Sequence, residues 1–490
     1  MKLNCNITSL QSALTNVRYQ KVCLFFIFSF AFINTAWMLD DIFITFRAVD
    51  NFLKGYGPVW NIGERVQVYT HPLYYFLLII GIGIFKHHYW FTLALSYVCL
   101  LGTIFLFFRI TATAGNMALG ITASLVMLFS RAFMDYSSSG LENPLLHLLL
   151  CTYVLVCIAE KDTNKRFFLT SLLYGFIFLT RPDTVFLITP TSMMMFLYAY
   201  KEKGITAFKV AAIAIIPVLV WEMFSLVYYG TFVPNTAIAK TSIGYSRTAM
   251  LARGWDYLKT NIYFDPITLG TVIFAFFIAI FTKKHIVRLL MCGVALQLTY
   301  ICYVGADYMI GRFLTTSLLV SVIAIVFSGS KIAIINHRVF CKHYICYVFV
   351  IISVLLYIIP IRFTANIRYL PNFSREHQAA SNKYSKYKVT EERSYYYPDF
   401  GMIPVINNHH WNPYTHKWFS YGVSKKIQKW HCLEPPELYL GQHETIFILL
   451  MSWHSLNHFW LGFLRVLGED LGIIRGVFQK VFSKRLRQEI

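Results

Sequence analysis

Charged side chains are scarce in this sequence. Lys, Arg, Asp and Glu make up 14% of its 490 residues, whereas hydrophobic residues make up 57% and aromatic residues 17%. Soluble globular domains carry about 25% charged residues, so the composition excludes an ordinary soluble protein. What remains are long apolar runs, which predict an α-helical polytopic membrane protein.

Motifs of nucleotide, metal and disulfide chemistry are also missing. The sequence has no P-loop, no GxGxxG that follows a strand and opens a helix, no HExxH and no CxxC. His87-His88 and His409-His410 are adjacent pairs, which do not share a helix face, so we expect no metal site from them. The net charge is +20, but Lys and Arg lie in short clusters between apolar runs and in a C-terminal tail. This pattern is typical of membrane topology and contact with anionic lipid, and we expect no nucleic acid partner.

The apolar runs predict about eleven transmembrane helices, because a spanning helix needs about 20 apolar residues. The predicted spans are 22–39, 89–108, 117–134, 142–159, 167–180, 184–200, 206–229, 266–281, 286–304, 313–328 and 344–360. The run 72–85 is too short. If it does not cross, every basic loop faces the side of Arg18 and Lys21, as the positive-inside rule requires. We therefore predict that 72–85 is a juxtamembrane helix.

The same parity places five polar loops on the outer face of the membrane. They are the opening stretch after the first span, SSGLE (138–142), RPD (181–183), YYGTFVPNTAIAK (228–240) and GADYMIGRF (305–313). Each contains Gly, Pro or acidic residues typical of irregular structure. Polar and charged groups are thus expected to converge on one side of the membrane.

Three regions follow from this organisation. Residues 1–360 form a transmembrane module, whose first outer loop covers 40–88. Residues 361–443 are rich in Tyr, His, Asn and Pro. This composition predicts an external domain of mixed α/β structure. Residues 444–490 form an interfacial or membrane-associated basic tail, and whether 446–464 crosses the membrane stays open.

Two adjacent acids, Asp40 and Asp41, follow the first span. Apolar residues then repeat at helical spacing, at Ile42, Phe46, Val49 and Leu53. Polar residues fall on the opposite face, at Arg47, Asp50, Asn51 and Lys54. The pattern predicts an amphipathic helix at the membrane surface. In a purely structural interpretation, one acid caps this helix and the other complements its dipole. We favour a functional role for the two acids, because one cap does not need two acids held against lipid.

Further charged residues lie at span boundaries, where an unpaired charge costs around 2.5–3.5 kcal/mol on insertion scales. Arg181 with Asp183, and Asp307 with Arg312, are equally consistent with structural ion pairs and with a site. Glu142 is equally consistent with an acid at a helix N-terminus. Taken together, carboxylates and fixed cations beside lipid suit the transfer of a sugar from a lipid-linked phosphate to a hydroxyl.

Such a transfer needs two kinds of group. A carboxylate must take the proton of the acceptor hydroxyl, which contributes roughly 10²–10⁴-fold. The phosphate leaves as an anion and needs Arg, Lys or a metal ion nearby instead of a second acid. Lys240 and Arg312 are candidates for that second role.

The motifs in these loops resemble those of the GT-C polyprenyl-phosphate-dependent glycosyltransferases, in particular the branch around the mycobacterial terminal β-(1→2) arabinofuranosyltransferases. The resemblance rests on DDIFITFRAVDNFLKGYGPVWNIGERVQVYTHPL, SSGLENPL, LTRPDTVFL, YYGTFVPNTAIAK and GADYMIGRFL, in order over roughly residues 20–330. It implies an inverting transferase with a GT-C fold, juxtamembrane helices in the first outer loop and a C-terminal periplasmic domain. It also implies a polyprenyl-phosphate-linked sugar donor and a glycan or lipid acceptor. The active site would face the periplasm from the bacterial inner membrane, among membrane lipids.

In the resembled family the general base is an Asp of the first outer loop. It maps onto Asp40 or Asp41; we prefer Asp40, with Asp41 orienting the acceptor or a bound cation. Residues expected to bind the donor phosphate or sugar are Arg47, Arg65, Tyr69, His71, Glu142, Arg181, Asp183, Asn235, Lys240, Asp307 and Arg312. No metal ligands and no certain cofactor are predicted, and participation of a divalent cation stays open.

Two departures from the family pattern lie near the presumed sugar pocket. Gly305-Ala306-Asp307 stands where members often have Gly-Gly-Asp, and Gln67-Val68-Tyr69-Thr70 where they have Glu-Gly-Tyr-Thr. The sugar, arabinofuranose or another pentose or hexose, is therefore not carried over. Alternatives are a lipid A or protein O-glycosyltransferase of the same superfamily, and a non-catalytic transporter or assembly partner for lipid-linked sugars. A transporter would be expected to show inverted repeats with broken helices, and the sequence shows neither.

Overall fold

A computed structural model describes residues 17–235, 246–329, 389 and 391–407. Within this part the chain is mainly helical, and a β-bridge pairs Trp37 with Gly401.

Several predictions lie outside the described residues. They concern Lys240, the span 344–360, most of the domain 361–443 and the tail 444–490. These remain predictions from the sequence.

The described helices are numbered in chain order. They are α1 (Val17–Thr35), α2 (Asp41–Leu53), α3 (Pro72–Phe85), α4 (His88–Ala114), α5 (Met117–Phe129), α6 (Arg131–Tyr136), α7 (Asn143–Ala159), α8 (Thr163–Thr180), α9 (Val185–Lys203), α10 (Thr206–Ala214), α11 (Ile216–Tyr229), α12 (Arg247–Phe264), α13 (Pro266–Phe281), α14 (His285–Tyr303), α15 (Thr315–Ser328), α16 (Glu392–Phe400) and α17 (Met402–Asn407). Two 3₁₀ turns, Pro182–Thr184 and Arg312–Leu314, precede α9 and α15.

Two of these helices, α4 and α14, are long and apolar enough to cross a membrane. The bent pairs α10–α11 and α12–α13 raise the number to four if each pair is one span, and shorter apolar helices include α3, α5 and α7. The ten predicted spans within the described residues each overlap a helix. The fold is therefore compatible with an α-helical membrane protein, while the number of eleven spans stays a prediction.

The prediction of one continuous span over 206–229 is wrong, whereas the second break falls where the predicted span 266–281 begins. The predicted span 206–229 breaks at Ile215, where α10 and α11 meet at 56°. Pro217 follows in the first turn of α11, and a proline has no N–H to continue the preceding helix. The pair α12–α13 turns by 109° at Asp265, whose side chain caps α13, and Pro266 opens that helix.

Helix α2 confirms the amphipathic pattern predicted after the first span. Ile42, Phe46 and Val49 are buried. Asn51, which was predicted on the polar face, is buried as well. Its amide Nδ2 is satisfied there, because it donates to the carbonyls of Val59 (2.9 Å) and Trp60 (3.0 Å). The helix thus holds the loop that follows it.

Helices α16 and α17 pack against the junction of α1 and α2. The Met38 N–H donates to the Phe400 carbonyl (3.1 Å), and the Met402 N–H donates to the Ala36 carbonyl (2.8 Å). Tyr396 and Phe400 are buried in the same hydrophobic core as α1 and α2. The described part of the predicted external domain therefore shares a core with the helices of residues 1–360.

Candidate active site

Four of the predicted outer loops meet at one end of the helices. The N-terminus of α2 brings Asp40 and Asp41, the start of α7 brings Glu142, the turn between α8 and α9 brings the 181–183 motif, and the loop before α15 brings 305–313. Ion pairs join all four loops. We call the group formed by Asp41, Glu142, Arg181, Asp183, Asp307 and Arg312 the charge cluster.

Glu142 is the centre of the charge cluster. Its side chain is 2% exposed, and its Oε1 lies 3.2 Å from Arg181 Nη1 and 3.1 Å from Arg312 Nη2. Its Oε2 lies 3.8 Å from His71 Nδ1, too far for a hydrogen bond. Glu142 precedes α7 as predicted, but its side chain makes no capping bond. It holds two arginines instead.

Burial and neighbouring charges set the ionisation of this centre. Burial alone raises the pKa of Glu142, but Arg312, His71 and Arg181 outweigh it and hold the pKa at about 2. Burial lowers the pKa of His71, and the two arginines lower it further against the opposing effect of Glu142. Near neutral pH, Glu142 is charged and His71 is neutral. The ring of His71 also shares a hydrogen bond with Thr45 Oγ1, 3.1 Å from Nε2.

Arg312 connects the loop 305–313 to α2. Its Nη1 lies 3.6 Å from Asp41 Oδ2 and 3.5 Å from Asp307 Oδ2. Gly311 precedes it with φ +81°, and a Cβ there would lie 2.8 Å from the Cβ of Ala132. The loop therefore needs glycine at this position to bring Arg312 into the cluster.

Arg181 also contacts more than one carboxylate, namely those of Glu142 and Asp183. Its Nε donates to Asp183 Oδ1 at 2.9 Å, and its guanidinium lies over the Phe313 ring at 4.3 Å. The two ion pairs predicted from the sequence, Arg181–Asp183 and Asp307–Arg312, are thus both present. Both are parts of one larger group centred on Glu142.

Asp40 is held at both carboxylate oxygens. Oδ1 accepts from the Asp41 N–H at 2.8 Å, and Oδ2 accepts from the hydroxyl of Tyr396 at 2.7 Å. Asp40 is therefore the N-cap of α2, as the structural alternative predicted. Sequence reasoning missed Tyr396, for which the only signal was the triplet Tyr395-Tyr396-Tyr397 in a polar segment.

A second tyrosine lies among the same carboxylates. Burial, Asp41, Asp40 and Glu392 raise the pKa of Tyr308 well above its ordinary value. Burial, Asp40 and Glu392 do the same for Tyr396. Both phenols stay protonated at physiological pH.

Arg47 and Asn235 make their recorded contacts away from the charge cluster. Arg47 Nε donates to the Trp60 carbonyl (2.7 Å), and its guanidinium lies over the Trp60 ring. The Asn235 N–H donates to the Gln67 carbonyl (3.2 Å), which joins the loop after α11 to the first outer loop.

Tyr69 and Arg65 belong to an aromatic group beside His71. The Tyr69 and Tyr229 hydroxyls are 2.9 Å apart, and the Tyr69 ring centroid lies 6.2 Å from that of His71. Arg65 is exposed and lies over the Tyr228 ring at 5.0 Å. These two candidates thus border the cluster on the side of α11.

The described ranges 17–235, 246–329, 389 and 391–407 contain no group of three or more His, Cys, Asp or Glu side chains placed to hold a metal ion. The participation of a divalent cation stays open.

A comparison with curated proteins finds two relatives that share one name. The first, a terminal β-(1→2)-arabinofuranosyltransferase of Mycobacterium tuberculosis (strain ATCC 25618 / H37Rv), is 33% identical over 224 residues, which are 42% of this chain and 35% of the relative. The chain resembles the terminal β-(1→2)-arabinofuranosyltransferases. This finding confirms the resemblance predicted from the motifs.

The second relative bears that name in Corynebacterium glutamicum and is 26% identical over 326 residues, 57% of this chain and 46% of the relative. The matched region thus spans less than half of the length of either arabinofuranosyltransferase. No protein-family model matches the chain, and no solved structure does.

Proposed function

We propose that this protein is an inverting glycosyltransferase that moves a sugar from a polyprenyl-phosphate donor to a hydroxyl of a glycan or lipid acceptor. The observation that carries the proposal is the 3.6 Å distance between Asp41 Oδ2 and Arg312 Nη1. It places the two carboxylates at the start of α2 beside a guanidinium that is only 11% exposed. A proton acceptor and a cation for the leaving phosphate are the two groups that this reaction needs.

Asp40 takes the proton in this proposal. The acceptor oxygen attacks the anomeric carbon as the bond from that carbon to the phosphate oxygen breaks, and the hydroxyl proton passes to Asp40. One displacement inverts the anomeric centre, so a single base suffices. Asp41 is held by Arg312 and orients the acceptor beside Asp40.

Arg181 and Arg312 receive the negative charge of the leaving phosphate. Each guanidinium has five N–H donors, more than their contacts with Glu142, Asp183, Asp307 and Asp41 require. The shared contact with Glu142 fixes both groups before the donor binds, so that little reorganisation is needed during the reaction. Burial also strengthens their interaction with an anion.

The printed names of the relatives make arabinofuranose the first donor sugar to test. Gln67, Val68 and Ala306 differ from the family pattern, so the donor panel also includes other pentoses and hexoses. Glycan, lipid A and protein acceptors complete the panel. We place the site on the periplasmic face of a bacterial inner membrane, on the distribution of basic loops.

The test is transfer by the purified full chain from synthetic polyprenyl-phosphate sugars. Asp40→Asn is expected to reduce the rate by about 10²-fold or more, and Asp41→Asn is expected to reduce it as well. Asp50→Asn is the matched control, because Asp50 lies on the same helix and pairs with His88 outside the cluster. Wild-type rates for both Asp40→Asn and Asp41→Asn would show that neither carboxylate is the base.

The two bent helix pairs favour a second candidate, a transporter of lipid-linked sugars, because broken helices are common at transport sites. Their breaks, at Ile215 and Asp265, lie outside the charge cluster, however. The two candidates differ in reconstituted vesicles. A transporter moves the labelled donor across the bilayer without acceptor, whereas the transferase forms product only when acceptor is present.

A further inference from the structure

Tyr396 reaches the candidate base from a distant part of the chain. Its hydroxyl donates to Asp40 Oδ2 at 2.7 Å, across a separation of 356 residues. Its ring is buried and stacks on Trp37 with an interplanar angle of 15°. The hydroxyl position is therefore fixed by packing as well as by the hydrogen bond.

Two buried ion pairs hold the segment that carries Tyr396. Arg131 Nη2 lies 2.9 Å from Glu391 Oε1, and Arg393 Nη1 lies 2.8 Å from Asp135 Oδ1. All four side chains are 6% exposed or less. Helix α6 thus binds both charges that flank the start of α16, and the backbone bonds around Trp37 hold its end.

These contacts fix the rotation of the Asp40 carboxylate. Oδ1 is bound to the Asp41 N–H at the start of α2, and Oδ2 is bound to Tyr396. These two bonds occupy two of the about four lone-pair sites of a carboxylate. A hydroxyl donor also stabilises the charged form of the carboxylate, which is the form that acts as a base.

We propose that Tyr396 is a positioning residue, which orients Asp40 and keeps it charged, so that the candidate active site is completed by the segment 391–407. This inference rests on the proposed function. Among the described residues, the titratable and charged groups near Asp40 include Asp41 of α2, Glu392 and Tyr396 of α16, and Tyr308 of the loop 305–313. Arg312 lies next to them through Asp41.

The test compares Tyr396→Phe with Tyr397→Phe in the full-length protein, using the polyprenyl-phosphate donors above. Tyr396→Phe removes one hydroxyl and keeps the ring against Trp37. Tyr397→Phe is the matched control, because the Tyr397 hydroxyl lies on the same helix but donates to the Asn34 carbonyl. Rates are measured as kcat and KM across pH, together with the Tm in detergent.

For Tyr396→Phe we expect kcat to fall by about 10- to 100-fold, the size of a lost hydrogen bond to a charged group. KM should stay within about twofold, since the base acts on the transition state. The acid limb of the pH profile should move to higher pH, because the charged carboxylate loses a donor. Tyr397→Phe should keep the wild-type kcat within about twofold and an unchanged profile.

Three other results of this experiment would each contradict a specific claim about Tyr396 or about the proposed function. If the wild type transfers sugar, Asp40→Asn is inactive and Tyr396→Phe keeps both kcat and pH profile, the inference about Tyr396 fails while the proposed function stands. If Tyr396→Phe and Tyr397→Phe lost equal amounts of transfer rate and Tm, Tyr396 would contribute to packing only and would not position Asp40. A wild type inactive with every donor overturns the proposed function and, with it, the role of Tyr396.

Discussion

The Nη2 of Arg312 lies 3.1 Å from Glu142 Oε1, and the two side chains are 11% and 2% exposed. The contact joins loops 170 residues apart in the chain. A carboxylate shared by two guanidinium groups leaves each of them anchored and still able to donate to an anion.

The stability of the protein should depend on pH through Glu142. Its pKa in the folded protein is about 2, below the ordinary 4.5, so its contribution is present above about pH 4.5 and is lost as pH falls towards 2. The contribution is on the order of 3 kcal/mol. Thermal unfolding in detergent between pH 5 and 2.5 should show a smaller fall in Tm for Glu142→Gln than for the wild type. Glu64→Gln, at an exposed position, should keep the wild-type pH dependence.

Arg312→Lys should separate charge from geometry. An ammonium group keeps the positive charge but is too compact to contact Asp41 and Glu142 together. We expect transfer to fall by about 10²–10³-fold, as for loss of one donor to a developing anion. Arg109→Lys, an exposed change on α4, is the control. Wild-type transfer by Arg312→Lys would show that a point charge suffices and that the simultaneous contact of Arg312 with Asp41 and Glu142 has no catalytic role.

The pair Arg131–Glu391 should be strongly coupled to folding. Arg131→Met removes a cation 2.9 Å from the buried carboxylate of Glu391, which is expected to cost about 3–5 kcal/mol. The double change Arg131→Met with Glu391→Leu should recover most of this loss, because it removes both buried charges. Unfolding in denaturant measures the free energy of unfolding of the single and the double variant. Lys165→Met, which breaks a bridge to Glu160 at the surface, should cost clearly less than Arg131→Met, and an equal cost for the two changes would refute the prediction.

Ala306→Gly should stabilise the protein. Ala306 has φ +56°, in the left-handed region where a Cβ costs about 1–2 kcal/mol. Part of the gain is offset by the larger backbone freedom of glycine in the unfolded chain, so about 0.5–1 kcal/mol is expected. Ala252→Gly, in the exposed helical turn of α12, should change stability in the opposite direction by about 1 kcal/mol. Destabilisation by both changes would contradict the assignment of strain to Ala306.

Local patterns predicted the amphipathic helix α2 and the apolar helices, but they did not predict α12. The spacing of Ile42, Phe46 and Val49 predicted α2, and the short apolar run 72–85 is α3. Prolines at 217 and 266 account for both breaks, yet apolar composition alone made 206–229 look continuous.

The partners within the candidate site were less accessible to sequence reasoning. Arg181, Glu142 and Arg312 were each identified, because charges at span boundaries are costly unless paired. Their common contact depends on packing between helices distant in the chain, which no local pattern specifies. Tyr396 was missed for the same reason: its position depends on the docking of α16, which two buried ion pairs decide.

The hydrogen bond between Asp40 and Tyr396 also sets an order of assembly during translation. Its partners are separated by 356 residues. At a synthesis rate of roughly 5–20 residues per second, Asp40 emerges from the ribosome about 20–70 seconds before Tyr396. Helices α1 to α15 are synthesised in that interval, before the Tyr396 hydroxyl can donate to Oδ2 of Asp40. The nascent chain therefore reaches the full constellation around Asp40 only after residue 396 has been made, which delays the chemistry until the helices that surround it are in place.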